Sequence, residues 1–308
     1  MDSLVALRSA VRAALEKYSA GDVILVAVSG GADSLALSEV AKIEGEKLAL
    51  KVIGVTIDHQ LQSGSAAQAE KVVSQLSIPC LIEKVEVEIT DGLEASARRA
   101  RYEALDKCAK KNNAVAVLLG HTKDDQAETV LLGLARGSGA RSLAGMSEVN
   151  GIYIRPFLGI TRDETVAACK ELNLQPWNDP HNEDSSFSRV RVRKNVLPMM
   201  ESELGPGIKD ALVRSADLLR DDADALDALA QDFWAKDKSL DVEALLKLPK
   251  AVRTRVLRLA LFESGVSQLS AEQVGRVEAL ISNWKGQGEV SLPSGVKVSR
   301  ISGRLTLS

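Results

Sequence analysis

The residues best suited to chemistry stand in two short strings. The first, Ser29-Gly30-Gly31-Ala32-Asp33-Ser34, follows the apolar run Val23–Val28 and precedes a helical pattern. Glycines let a chain leave a strand tightly and bring backbone N–H groups against a ligand. The amino end of a helix adds unpaired donors and partial positive charge. Ser29 and Ser34 supply hydroxyls, and Asp33 is placed to hold a magnesium ion bridging phosphate oxygens. The string reads as a phosphate-binding loop, the alternative being a plain turn capped by Ser29. It is neither a Walker loop nor the dinucleotide Gly-x-Gly-x-x-Gly pattern.

The second string, Gly120-His121-Thr122-Lys123-Asp124-Asp125-Gln126-Ala127-Glu128-Thr129, follows the run Ala114–Leu119. Asp125 and Glu128 are three apart, so on a helix their carboxylates share one face. The same acids could instead complement the helix amino end, with His121 as a cap. Asp58 ends the run Val52–Ile57, where α/β folds often meet a nucleoside; nucleoside or magnesium contact and a turn role are both open. Arg136 and Arg141 flank a Gly-Ser-Gly-Ala stretch and could clamp phosphates or RNA. Arg189, Arg191, Arg193 and Lys194 form the densest basic run, and alternate spacing would put the arginines on one side of an extended segment, suited to an RNA backbone. Trp177 could stack on a base or fill a core.

These residues need a scaffold. From residue 21 to about 175, the β-rich runs Val23–Val28, Val52–Ile57, Cys80–Val87, Ala114–Leu119 and Ile152–Ile154 alternate with helical patterns at Ala32–Ile43, Ala66–Leu76, Leu93–Lys111, Thr122–Ala135 and Arg162–Leu172. Unbroken apolar strands between helices predict an α/β fold with a parallel sheet covered on both faces. Asn195–Gly207, rich in Pro and Gly, reads as a connection. Beyond it, Leu212, Ala216, Leu219, Ala223, Leu226, Ala230 and Phe233 mark a long helix whose seam must bury against this chain or against a second copy, a homodimer. Helices near Ala251–Glu263 and Ala271–Asn283 and a hairpin, Val290–Leu292 with Lys297–Ile301, complete a small, mostly helical domain to which Leu305–Leu307 could add a strand. The expected division is residues 1–200 and 201–308.

Composition bounds the function. A net charge of −3 excludes a globally basic nucleic-acid coat, and 3% aromatic residues argue against a platform of many stacked rings. The cysteines, Cys80, Cys108 and Cys169, form no Cys-x-x-Cys pair, which disfavours a disulfide framework or a four-cysteine metal site. The first twenty residues read as an amphipathic helix and no apolar run reaches membrane-span length, so a cytoplasmic protein without membrane contact is expected.

The Ser29–Ser34 string closely resembles the S-G-G-x-D-S loop of the PP-loop ATP pyrophosphatases, which cleave ATP between its α and β phosphates. With Ile57-Asp58-His59-Gln60-Leu61, the His121–Thr129 string, Glu94 through Tyr102, Arg136-Gly137-Ser138-Gly139, Gly145-Met146, Arg155-Pro156-Phe157-Leu158, Trp177-Asn178-Asp179-Pro180, Asn182 and Phe187-Ser188-Arg189, residues 20–200 resemble the tRNA(Ile)-lysidine synthetase family. The tail resembles the single carboxyl-terminal domain of its shorter members. Gln62 stands where that family usually has Arg, and His181 where it usually has Ser.

The resemblance implies adenylation of the wobble cytidine of a CAU-anticodon isoleucine tRNA by ATP with magnesium, then attack by free L-lysine. It implies ATP contacts from Ser29, Gly30, Gly31, Ala32, Asp33, Ser34, Asp58 and His121. Lysine would be held by Arg101, Asp125 and Glu128, and tRNA by Arg136, Arg141, Arg189, Arg191 and Arg193. Asp33, Asp125 and Glu128 would be catalytic; Arg98 would face the site and Arg99 the solvent. Rival readings are a tRNA thiolase, which would carry paired cysteines, an amide-forming ligase, which would need an ammonia source, and an ATP-binding sensor, which would not need the Asp125–Glu128 pair.

Overall fold

The computed structural model describes residues 3–60, 64–88, 90, 92–137, 139–179, 183–266 and 269–308. Leu61, Gln62, Ser138, Pro180, His181 and Asn182 lie outside them.

Strand β1 (Val23–Ala27) is apolar throughout because both of its faces are covered. Ile24 and Val26 share a core with Leu7 and Val11 of helix α1 (Ser3–Leu15), Leu37 and Val40 of α2 (Ala32–Lys47), and Ala168 of α7 (Arg162–Glu171). Leu25 belongs to a second core with Leu105 and Cys108 of α4 (Leu93–Lys111). This two-sided burial is why parallel strands read as continuous apolar runs.

The sheet order is β3 (Cys80–Lys84), β2 (Lys51–Asp58), β1, β4 (Ala114–Leu118), β6 (Tyr153–Ile154), β5 (Val149–Asn150). All pairings are parallel except β5 on β6, and β1 meets β2 in register from Val23 with Lys51 to Ala27 with Val55. Strand order reverses between β1 and β4, so a crevice opens beyond their carboxyl ends. The two chemistry-bearing strings follow these two strands and lead into α2 and α5 (Lys123–Ala135). Helix α3 (Ser65–Gln75) follows β2.

The expected connection at 195–207 is helical over most of its length. After α8 (Ser188–Arg191), a π-helical turn covers Val192–Val196 and α9 covers Leu197–Glu203. Val192, Val196, Leu197 and Met200 pack on Ala127 and Leu131 of α5. That apolar anchorage outweighs the Pro and Gly content, and Pro198 comes just after the π-helical turn, where the regular hydrogen-bond ladder is already interrupted. The extended segment expected for Arg189, Arg191 and Arg193 is therefore replaced by helix.

By compactness the chain forms two units, residues 1–136 with 145–214, and residues 137–144 with 215–308. The second unit holds α6 (Ala140–Leu143), most of α10 (Ile208–Lys236), α11 (Val242–Leu246), α12 (Lys250–Glu263) and α13 (Ala271–Ser282). An antiparallel sheet β7 (Val290–Ser291), β8 (Lys297–Ile301), β9 (Arg304–Leu307) follows. The α10 seam buries Ala216, Ala223 and Ala230, and Leu226 and Phe233 pack on the core formed by Val256, Leu257 and Ile281. Inside this unit Arg253 donates to Glu278 through Nε (3.0 Å) and Nη2 (2.5 Å), with both side chains buried. Arg141 is ion-paired to Asp224 and Asp227 of α10.

Candidate active site

Gly31 is the N-cap of α2, extended and without a capping side chain, so the first-turn N–H groups face the crevice uncapped. The expected alternative, Ser29 as cap, is not what forms. Ser34 is buried and braces the loop instead: its Oγ accepts from the Ser29 N–H (3.1 Å) and lies 3.0 Å from the Gly31 carbonyl, to which it donates. Two glycines make this geometry reachable. Gly30 has φ +87°, and a Cβ there would lie 2.5 Å from Val72 Cγ2. A Cβ on Gly120 would lie 3.1 Å from the Asp33 backbone, so the loop and the end of β4 approach as closely as they do only because Gly120 is bare.

Asp33 points from the loop to α7. Thr165 Oγ1 donates to its Oδ1 (2.5 Å) and Arg162 Nη2 to its Oδ2 (3.2 Å). Burial raises the Asp33 carboxyl above its ordinary value, against the opposing pull of Arg162 and Thr165.

The α5 amino end divides Asp125 between two jobs. Its Oδ2 accepts from the Thr122 N–H (2.9 Å) and Oγ1 (3.1 Å), a capping-box contact. Its Oδ1 faces Arg193 Nη2 (3.4 Å) and Arg162 Nη2 (3.5 Å). Burial pushes the Asp125 carboxyl up, but the Arg162 charge, the Thr122 N–H and the neighbouring His121 and Arg193 outweigh it and leave it lowered. Glu128 has no exposed surface, and burial, with the adjacent Asp125 charge, raises it against the pull of Arg193. Asp124 turns away to Lys209 (2.8 Å) and the Arg162 N–H (2.8 Å), which ties α5 to α7 and to the start of α10. His121 precedes the Thr122 cap and is not itself the cap; burial, and then the nearby arginines, hold it down at about 4 against the Asp125 charge, so it is neutral at pH 7.

A cavity of about 720 Å³ joins these groups. Ser29, Gly31, Ala32, Asp33, Ser34, Asp58, Arg101, His121, Asp125, Arg189 and Arg193 all line it, as do Arg98 and Trp177. Gly30 is bound at its carbonyl by the Trp177 N–H (2.8 Å), and Glu128 reaches the cavity through Arg193. The basic run is split by its helical path. Arg189 and Arg193, four apart, face the cavity, while Arg191 donates to the Ser185 and Ser186 carbonyls. Arg136 is exposed at the end of α5 and does not line the cavity; Arg141 belongs to the second unit. Arg99 donates to Ser96 and Thr90 and is not simply solvated.

Sequence reasoning missed Arg162 and Thr165. A signal was present: Arg162 opens a helix, where the dipole disfavours a cation, so a nearby acid was called for. Among the described residues no group of three or more His, Cys, Asp or Glu could hold a metal by itself. Asp33 is the carboxylate of the phosphate loop that lines the cavity, with its two oxygens engaged by Thr165 and Arg162. No helix among the described residues is long and apolar enough to cross a membrane.

Known proteins resemble the chain over nearly its whole length. Residues 5–200 match the PP-loop domain family and residues 240–306 the TilS substrate binding domain. The chain is 47% identical over 312 residues to the tRNA(Ile)-lysidine synthase of Thermobifida fusca, covering 98% of this chain and 96% of the relative. It is 48% identical over 297 residues to that of Streptomyces coelicolor, covering 92% and 84%. In structure it is similar to the U34-tRNA thiolase NcsA from Methanococcus maripaludis, with a TM-score of 0.58 at 18% identity over 71% of this chain and 79% of that one, a likeness of fold. With a PP-loop, a matching tail domain and near full-length relatives of one kind, the chain belongs to the tRNA(Ile)-lysidine synthase family.

Proposed function

We propose that this protein is an ATP-dependent ligase that joins L-lysine to carbon 2 of the wobble cytidine of a CAU-anticodon isoleucine tRNA. The observation that carries this reading is the placement of the phosphate loop and Asp125 on one cavity, with Glu128 directly behind the cavity-lining Arg193. Residues 1–200 would perform catalysis, and residues 201–308 would recognise tRNA, form a homodimer, or both.

In the first step the cytidine O2 attacks the α-phosphorus of ATP, and pyrophosphate leaves with the electron pair of the broken P–O bond. The uncapped N–H groups of α2 face the growing negative charge. Magnesium bound by Asp33 and phosphate oxygens would supply further positive charge. Asp58, buried at the end of β2 and lining the cavity, is placed for the nucleoside, and His121 for the phosphate as a neutral ring.

In the second step the lysine ε-amine attacks carbon 2 and AMP leaves. Free lysine has a pKa near 10.4, so only about one molecule in a thousand is neutral at pH 7.4. The amine must lose a proton in the site. Asp125 Oδ1, held ionised, suits the ammonium, and Glu128, whose carboxyl is raised, is the better proton acceptor. Arg101 lines the same cavity and suits the lysine carboxylate. Arg189 and Arg193, which line the cavity, would meet tRNA phosphates there, and Arg136, Arg141 and Arg191 would contact the tRNA elsewhere. The product pairs with A rather than G, changing codon specificity from AUG to AUA and amino-acid identity from Met to Ile.

The test is transfer of labelled lysine to transcribed isoleucine tRNA with a CAU anticodon, given ATP and magnesium. Incorporation confined to that tRNA, absent from methionine tRNA and from a wobble-substituted transcript, is the expected result. ATP turnover to AMP with no lysine incorporation would overturn it.

A further inference from the structure

Arg155 and Tyr102 have no part in the reaction as described above. Arg155, directly after β6, is buried, and among the described residues no carboxylate pairs with it. A buried charge without a counter-ion is costly, so its few contacts matter. Its Nη1 donates to the Ser147 carbonyl (2.8 Å) and its Nη2 to the Tyr102 hydroxyl oxygen (3.2 Å), while the buried Nε has no partner. Its backbone N–H is fixed on the Glu148 carbonyl (2.8 Å).

Tyr102, on α4, lines the cavity and receives a second cation at the same oxygen. Arg98, one turn earlier, donates Nη2 to it (3.3 Å) and lies over its ring, 5.0 Å from the centroid. Tyr153 packs edge to face on that ring, centroids 4.8 Å apart, and is itself tied to Asp106 (2.6 Å). The phenol is therefore held at its ring and at its oxygen. An oxygen that accepts from two guanidinium groups cannot donate its own proton to either. Among the described residues nothing accepts that proton, which leaves it for an occupant of the cavity. Arg98 also has no carboxylate partner among the described residues, so the group that completes this corner is an anion.

We propose that the Tyr102 hydroxyl donates a hydrogen bond to an oxyanion of a bound substrate, and that Arg155, which does not line the cavity, is the positioning residue that aims it. Two substrates carry such a group, a free amino acid with its carboxylate and a nucleotide with its phosphates, and the same contact serves either. The inference rests on the proposed function only for the choice of these two ligands.

The experiment measures binding of L-lysine, L-lysinamide, AMP and adenosine to the full-length protein by calorimetry. Tyr102→Phe keeps the ring contacts and removes only the hydroxyl. It is expected to weaken either L-lysine or AMP by about tenfold or more, and to leave the analogue lacking the oxyanion, lysinamide or adenosine, within about twofold. Arg155→Met should reproduce that pattern, and should add less than about twofold to Tyr102→Phe because it acts through the hydroxyl. If Arg155→Met does not fold, Arg155→Lys, which keeps the charge but loses the fork, takes its place in the same cycle. A merely structural Arg155 would weaken every ligand alike and add in full to Tyr102→Phe, which overturns the proposal. Tyr102→Phe that binds all ligands as the wild type does, or that weakens an analogue as much as its parent, also overturns it. Wild-type protein that shows this dependence on Tyr102 but transfers no lysine to tRNA would sink the proposed function and leave the inference standing; binding of neither L-lysine nor AMP would sink both.

Discussion

Arg193 grips both oxygens of the Glu128 carboxylate, Nε on Oε1 at 2.6 Å and Nη2 on Oε2 at 3.0 Å. The same Nη2 stands 3.4 Å from Asp125 Oδ1, so one guanidinium compensates two buried acids. A lysine ammonium bound here, as proposed, would meet carboxylates already partly neutralised. That weakens its hold on the extra proton and favours the neutral amine the reaction requires.

Glu128→Gln keeps the shape and removes the proton acceptor. Lysine transfer is expected to fall by about 10² to 10⁴, while pyrophosphate release in the absence of lysine stays within a few fold. Single-turnover assays with and without lysine separate the two steps.

Asp33→Asn acts on the earlier step. Pyrophosphate release should fall by about a hundredfold or more, and raising magnesium should no longer restore it. Retained magnesium dependence in this variant would place the metal elsewhere.

Acid should destabilise the fold in two stages. Burial holds His59 and His121 down at about 4, from an ordinary value of 6.5. Between those values the unfolded chain binds protons that the folded chain refuses, so stability present above pH 6.5 is lost as pH falls toward 4. Glu44 then contributes. Burial would raise it, but hydrogen bonds from Arg12, Lys47 and Arg8 outweigh burial and hold it at about 2, so its share is lost from about 4.5 down to about 2. Urea midpoints at pH 7.5, 5.5 and 4.5 should fall in that order, with a shallower upper slope in His59→Asn.

Arg253→Met strands Glu278 in the second unit without its partner. A loss of about 3 to 5 kcal/mol is expected, read as a lowered melting transition. Adding Glu278→Leu should recover part of it, because two apolar groups replace a broken pair.

Much of this site is legible in residue order because two of its parts are local. The Ser29–Ser34 loop and the Asp125–Glu128 pair each lie within a single strand-to-helix turn, where spacing determines direction. Arg162 and Thr165 were hidden because α7 reaches Asp33 only through the packing of Ala168 against Leu37 and Val40 of α2. Arg189, Arg191 and Arg193 misled for a different reason. Their alternation suggests a strand, but buried Val190 and Leu197, and Val196 packed against α5, impose a helix that sends Arg191 away from its neighbours. Short-range pattern lost there to a long-range apolar contact.

The compact units do not divide the chain at one point. The backbone crosses between them at Arg136–Gly137, Ala144–Gly145 and Arg214–Ser215, and the octet 137–144 is fastened by Arg141 to Asp224 and Asp227. The tail is consequently not a bead that a single cut in the chain would separate whole. Removing everything after Arg214 would leave the octet's arginine with no acid to hold it, and grafting a foreign tail would require a matching pair of acids on the incoming helix. The octet and α10 thus make one structural part from two separate stretches of chain.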